Sequence, residues 1–175
     1  MRHALVNATW VNATLLALAL TAATLPAALH PAWAQDRVKR GEYLATIMDC
    51  TGCHTPGALI GKPEQARALS GSTIGFAIPA LGIFYPPNLT PDRETGLGKW
   101  TEGEIVKAVR TGETPSGRTL VPIMPYHSYA RLTDADAQAL AAYLKSLKPI
   151  RHQAPAPTGP QEKPKAPYLT LVVPQ

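Results

Sequence analysis

The chain has 175 residues, among them 18 prolines, 13 glycines and 2 cysteines, with 17 Lys+Arg against 12 Asp+Glu for a formal net charge of +5. That length sets an expectation of one domain with extensions, and two cysteines argue against a multi-disulfide scaffold and against a four-thiolate zinc or iron–sulfur site. Hydrophobic residues make up 45%, enough for a packed core, so disorder of the whole chain is disfavoured.

Residues 1–34 read as a secretory signal peptide. Arg2 is their one formal charge, an apolar stretch runs from Leu15 to Leu25, and Ala32-Trp33-Ala34 puts small residues at the positions a signal peptidase reads. The competing reading is an uncleaved membrane anchor, because uncharged residues continue to Gln35. Pro26, His30 and Pro31 interrupt the apolar run and favour cleavage after Ala34. Loss of Arg2 takes the net charge from +5 to +4. No Lys/Arg block or aromatic-interleaved basic stripe follows, so nucleic acid is not an expected partner. No second long apolar stretch follows either, which leaves membrane contact to a partner or to an uncleaved leader.

Between Arg37 and Cys50 the positions Val38, Tyr43, Leu44, Ile47 and Met48 approximate one helical stripe, with Asp36 as candidate N-cap. The helix runs into Cys50-Thr51-Gly52-Cys53-His54, a C-x-x-C-H pattern. Two thiols about one helical turn apart can add to the two vinyl groups of a haem, and the adjacent histidine is placed to bind the iron. Attachment of haem c is completed outside the cytoplasm in bacteria, so the leader and the motif agree. A Cys50–Cys53 disulfide or thiol redox pair is the competing reading, although no strand precedes the pair as a thioredoxin-like site requires. A zinc site would need further ligands, and only His54, His127 and His152 remain in the mature chain.

From His54 to Trp100 frequent glycines and prolines break any long element, and short β-branched and aromatic runs flanking Pro79-Ala80 between Thr73 and Tyr85 allow a small hairpin. Such a long irregular stretch needs something other than its own side chains to wrap. Thr101 and Glu104 form a capping-box pair ahead of Ile105, Val106 and Val109, and Gly112 ends the run, which predicts a helix over 102–111. Next comes Leu120-Val121-Pro122-Ile123-Met124-Pro125-Tyr126, stiffened by proline on both sides of Met124. Met124 is the favoured second axial ligand, with His127 as the alternative, because thioether plus imidazole is the usual electron-transfer pair. Met48 lies on the attachment side and reads as packing. Thr133 and Asp136 precede Leu140, Tyr143, Leu144 and Leu147, the strongest amphipathic helix in the chain, closed by Pro149. The proline-rich tail over 153–175 reads as an extended, mostly unpacked arm.

These features together resemble a class I c-type cytochrome. The family crosses an N-terminal helix, which ends in the attachment motif, with a C-terminal helix; Gly41 stands where it places a small residue at that crossing, and Tyr143 and Leu144 where it places the partners. Pro87-Asn88-Leu89-Thr90-Pro91-Asp92, Thr95-Gly96-Leu97-Gly98-Lys99-Trp100, and Met124-Pro125-Tyr126 followed by Leu132-Thr133-Asp134 are similar to the haem domains of cytochrome c subunits of bacterial alcohol and gluconate dehydrogenases. Those subunits string several haem domains together, whereas this chain has one C-x-x-C-H. The resemblance covers roughly Arg37 to His152. It implies an all-α cytochrome c fold of three to four helices and long loops around one covalent haem c, with a possible small hairpin. The expected organisation is a signal peptide over 1–34, a cytochrome domain over 35–152 and a tail over 153–175.

The function expected on this basis is that of a periplasmic electron carrier, not itself an enzyme. Cys50 and Cys53 would hold the haem and His54 and Met124 its iron, between a dehydrogenase-type donor and an oxidase or cytochrome acceptor. If Met124 does not bind, the alternative is a five-coordinate haem protein open to small gases or peroxide.

Overall fold

The computed structural model describes residues 31–174; residues 1–30, which carry most of the expected leader, lie outside the described residues. No helix among the described residues is long and apolar enough to cross a membrane. The described residues form five α-helices, α1 (Pro31–Ile47), α2 (Cys50–His54), α3 (Glu102–Thr111), α4 (Tyr126–Tyr129) and α5 (Asp134–Ser146). A small sheet of β1 (Gly75–Ile78), β2 (Gly82–Phe84) and β3 (Tyr168–Leu169) accompanies them. This is the cytochrome c arrangement expected from the sequence, with the hairpin present and one strand added.

Helix α1 begins before the expected N-cap, so Asp36 lies inside it. Ala32, Ala34 and Gln35 favour helix, and a proline at the first helical position is preorganised for it, so nothing stops the helix at Asp36. The buried stripe also differs from the one drawn on hydrophobicity. Gly41, Leu44 and Ala45 are buried with Val38 and Met48 partly so, whereas Tyr43 and Ile47 are more than half exposed. The reason is backbone proximity. A Cβ at Gly41 would overlap the carbonyl oxygen of Ala139 and stand 2.6 Å from Tyr143 Cβ, so α1 meets α5 on its small residues. Tyr43, turned outward, lies under the Arg40 guanidinium, 5.3 Å from the ring centroid.

The α3 boundaries match the capping reading. Thr101 Oγ1 accepts from Glu104 N–H at 3.2 Å while the Glu104 carboxylate accepts from Thr101 N–H at 2.7 Å, and Gly112 closes the helix at φ 76°. In α5 the cap is only half of that device. Thr133 Oγ1 accepts from Asp136 N–H at 3.1 Å, but the shorter Asp136 carboxylate accepts from Arg40 Nε at 2.8 Å and so fastens α5 to α1. Arg37 with Glu102 links α1 to α3 at 3.0 Å, and Arg110 with Asp134 links α3 to α5 at 2.6 Å.

Ala45, Leu69, Leu97, Ile105, Leu140, Ala141 and Leu144 form the main core, and Met48, Cys50 and Trp100 pack against it. Met48 and Trp100 thus serve as packing residues. Lys145 Nζ donates to the carbonyls of Leu97, Gly98 and Trp100 at 3.2, 3.2 and 2.8 Å, which pins the loop entering α3 onto the end of α5.

Strands β1 and β2 pair antiparallel, Phe76 opposite Phe84 and Ile78 opposite Gly82, across a turn with Ala80 at φ 63°. The tail departs from the expected unpacked arm. Thr158 exchanges two backbone hydrogen bonds with Ile83, at 2.8 and 2.9 Å, and β3 pairs parallel with β1. Ala154 is buried with Ile83 and Tyr85 in a second cluster. Proline removes backbone donors but leaves carbonyls, so a proline-rich segment still accepts from a sheet edge. Tyr168, Leu169 and Leu171 to Val173 remain exposed.

Two outcomes test this packing. Gly41→Ala, which in an isolated helix would gain about 1 kcal/mol of propensity, is expected instead to cost about 2 kcal/mol or more by overpacking the crossing, read from the urea unfolding midpoint. Arg40 holds the Asp136 carboxyl below its ordinary 3.8, so the pair stabilises the fold above that pH and the contribution disappears as pH falls through the lower folded value. Asp136→Asn should therefore lower stability at pH 7 by up to about 1 kcal/mol and converge with the parent chain in acid well below pH 3.8.

Candidate functional site

The helix expected to run unbroken into Cys50 is interrupted. Asp49 adopts left-handed geometry, φ 52° and ψ 40°, ends the path of α1 and caps α2 by accepting from Gly52 N–H at 3.2 Å. A Cβ at Gly52 would collide with the Asp49 carboxylate, so the glycine inside C-x-x-C is needed for this cap. Cys50, Cys53 and His54 consequently share one short helix, α2.

The two thiols are free and partly buried. Burial, and behind it the charge of Asp49, pushes Cys50 up to about 11 and raises Cys53 as well. A thiol redox pair depends on a lowered value, so this environment runs opposite to that reading.

His54 is 7% exposed. Its Nδ1 lies 2.8 Å from the Pro87 carbonyl oxygen, a pure acceptor, so Nδ1 carries the proton and donates. Burial holds the imidazole below its ordinary value and keeps it neutral, which leaves the Nε2 lone pair for a metal. Backbone contacts fix the segment that supplies the carbonyl. Gly71 N–H donates to His54 O at 2.8 Å, Ser72 N–H to Pro86 O at 2.9 Å and Leu89 N–H to Leu69 O at 2.8 Å. Gly71 is at φ 97°, and a Cβ there would be 3.0 Å from Asn88 N and 3.1 Å from Pro87 C, so this crossing of two loops needs glycine.

Met124 stands on a different support. Its N–H donates to Val121 O at 3.0 Å, and its carbonyl accepts from Tyr126 N–H at 2.8 Å as the chain enters α4. Tyr126 is buried, its ring 3.0 Å from where a Gly112 Cβ would stand, and this anchors the loop to the end of α3. Met124 is half-buried, whereas His127 is exposed. The last residue of α4 joins the two supports: Tyr129 Oη donates to the Met48 carbonyl at 2.9 Å, two residues before Cys50. Burial, followed by the nearby Cys50, Cys53 and Asp49, pushes this hydroxyl up to about 12, so it is protonated and a donor at neutral pH.

The donor set fits a c-type haem: two unpaired thiols one turn apart, and a neutral buried imidazole whose Nδ1 proton is already committed. Sequence reading located these donors but not Asp49, the Pro87 carbonyl or the Met48–Tyr129 bond. An Asp directly before the first cysteine and the Pro86-Pro87 pair were the available signals. Arg110 is engaged with Asp134, and Asp92 accepts from the N–H groups of Glu94 and Thr95, which makes it a turn residue.

The family model for cytochrome c matches residues 38–148. The alcohol dehydrogenase (quinone) cytochrome c subunit of Gluconobacter oxydans is 40% identical over 132 residues, 72% of this chain and 26% of that subunit. The fructose dehydrogenase cytochrome subunit of Gluconobacter japonicus is 39% identical over 122 residues, 69% of this chain and 23% of that subunit. The gluconate 2-dehydrogenase cytochrome c subunit of Pantoea cypripedii is 44% identical over 106 residues, 61% of this chain and 22% of that one. In each case the chain spans only 22–26% of the relative's length. Within the site, Tyr129→Phe should lower stability by about 1 kcal/mol, because it strips the Met48 carbonyl of its partner; guanidinium unfolding at neutral pH measures this.

Proposed function

The chain belongs to the cytochrome c family, and from that membership and the geometry above we propose that it is a single-haem electron carrier with Cys50, Cys53, His54 and Met124 as its haem-holding residues. Electron transfer by haem is the property the family carries. The observation that carries the reading of His54 is its hydrogen bond to Pro87, which fixes a neutral ring and commits Nδ1, so that Nε2 is left to ligate.

A haem c bound here supplies one-electron exchange between Fe(III) and Fe(II). Cys50 and Cys53 hold it to α2, and His54 is oriented by Pro87. Met124 is supplied by a loop that Pro122 and Pro125 stiffen and Tyr126 anchors. Its partial burial beside an exposed His127 favours methionine as the second ligand. With His54 and Met124 both holding the iron, substrate would have no access to it, and the chain would pass electrons without itself turning over substrate.

The similar chains are named as dehydrogenase cytochrome subunits. This supports a dehydrogenase as donor, with an oxidase or a further cytochrome as acceptor. The leader-like residues 1–34 and the attachment motif together support work in the periplasm, through cleavage or, alternatively, on an uncleaved tether.

The test is spectroscopic. The purified chain should keep its red colour through denaturation, carry the mass of one haem, and show in its ferric state the weak red-edge band of a methionine–iron bond. Met124→Ala should abolish that band and lower the reduction potential, while His127→Ala leaves both unchanged. A high-spin ferric spectrum in the parent protein would replace this reading with a five-coordinate haem.

A further inference from the structure

We infer that the C-terminal strap, residues 149–169, is a positioning element for the axial histidine, holding from both sides the backbone segment whose Pro87 carbonyl orients His54. The inference rests on the reading of His54 as an iron ligand. The family model ends at residue 148, and the strap lies beyond that match.

On the C-terminal side of Pro87, Asn88 is 2% exposed, and its Nδ2 donates to the carbonyls of Ile150 and His152 at 2.7 and 3.3 Å. Ile150 N–H donates to Thr90 Oγ1 at 3.1 Å, and His152 N–H to Thr95 Oγ1 at 3.1 Å. On the N-terminal side, Tyr85 Oη donates to the Ala166 carbonyl at 3.0 Å, two residues before Pro87. The third hold is indirect. His152 Nδ1 lies 2.7 Å from the Ser70 carbonyl oxygen and donates to it, which fixes Gly71, the residue that lies flat against Pro86, Pro87 and Asn88. Further along the strap, a Cβ at Gly82 would overlap the Thr158 carbonyl, so the strap also closes tightly on the hairpin.

Pro87 itself is exposed, and no side chain of its own fixes its carbonyl. Its direction is therefore set by its neighbours, and the strap restrains residues 85, 88 and 71 at once. In this scheme the strap residues act through Pro87. A firm Nδ1–H to carbonyl bond makes the imidazole a stronger donor and favours the ferric state, so loosening it should raise the reduction potential.

The test uses the full-length haem-loaded protein and two single variants, Tyr85→Phe and His152→Leu, each of which removes one strap bond and leaves every haem-holding residue in place. Exchange of the His54 Nδ1 proton in the reduced protein, followed by NMR, should accelerate about fivefold for each lost bond, and the potential should rise in both variants. Unchanged exchange and unchanged potential, accompanied only by a lower melting temperature, would reduce the strap to a structural brace and overturn the inference. A fast-exchanging His54 ring proton in the parent protein would overturn the inference, whereas a His54→Ala variant that kept the parent's low-spin spectrum would overturn the axial reading of His54 and take the inference with it. A normal parent proton with unperturbed variants removes the inference alone.

Discussion

Helices α1 and α5 approach at Gly41 more closely than any side chain permits, and the placement of the thiols follows from that contact. With α1 pressed against α5, Leu44, Ala45 and Met48 enter the core, and the helix reaches Asp49 at a fixed place. The left-handed turn at Asp49 then redirects the chain so that α2 starts with Cys50 packed on the same core. Helix α5 carries the matching half: its Ala137, Ala139, Ala141 and Ala142 are buried and small enough to allow the approach. A crossing built on small residues gains little from side-chain area. It depends on backbone proximity, on dispersion over many short contacts, and on the ion pairs Arg40–Asp136 and Arg37–Glu102 that fix its rotation.

The long irregular region between α2 and α3 is organised differently. Thr55, Ser72, Asn88 and Thr90 are buried to 2% exposure or less, and they bond mostly to backbone groups of neighbouring loops. Asn88 alone meets Thr90, Thr95, Ile150 and His152. Burial of so many polar groups is tolerable only when they are satisfied. Among the described residues Ser70 Oγ is the single buried side-chain polar atom without a partner. Polar side chains thus do for these loops what helix and sheet ladders do elsewhere. His54 sits at the junction of both systems, with its backbone on α2 and its ring against Pro87.

Legibility in the sequence divides along the same line. Signals that act over a few residues were readable: the Thr101–Glu104 capping box, Gly112 as its stop, the hairpin about Pro79-Ala80, and the C-x-x-C-H spacing. The α1 face was misdrawn because hydrophobicity ranks Tyr43 and Ile47 above Gly41 and Ala45, whereas the packing selects for smallness at a crossing fixed some hundred residues away. The interruption at Asp49 was hidden by the apparent helical period on either side of it. The Pro87 carbonyl and the Tyr129–Met48 bond involve backbone acceptors, which every residue has, so no residue type announces them.

The tail shows why composition alone misled. Pro155, Pro157, Pro160, Pro164 and Pro167 suggest a segment unable to pack, since proline can join neither a helix interior nor a central strand. The same property suits a strap. A residue without an N–H has no donor to lose when the chain crosses a surface in an extended path, and a fixed φ lowers the entropy lost on ordering. The donors that remain are spent where they count: Ile150 on Thr90, His152 on Thr95, and Thr158 on Ile83. Pro167 contributes the one group it has, a carbonyl that accepts from Gly75 N–H at 3.0 Å just before β3 joins β1. Few backbone donors and much preset geometry let so many prolines coexist with a tightly bonded chain among the described residues.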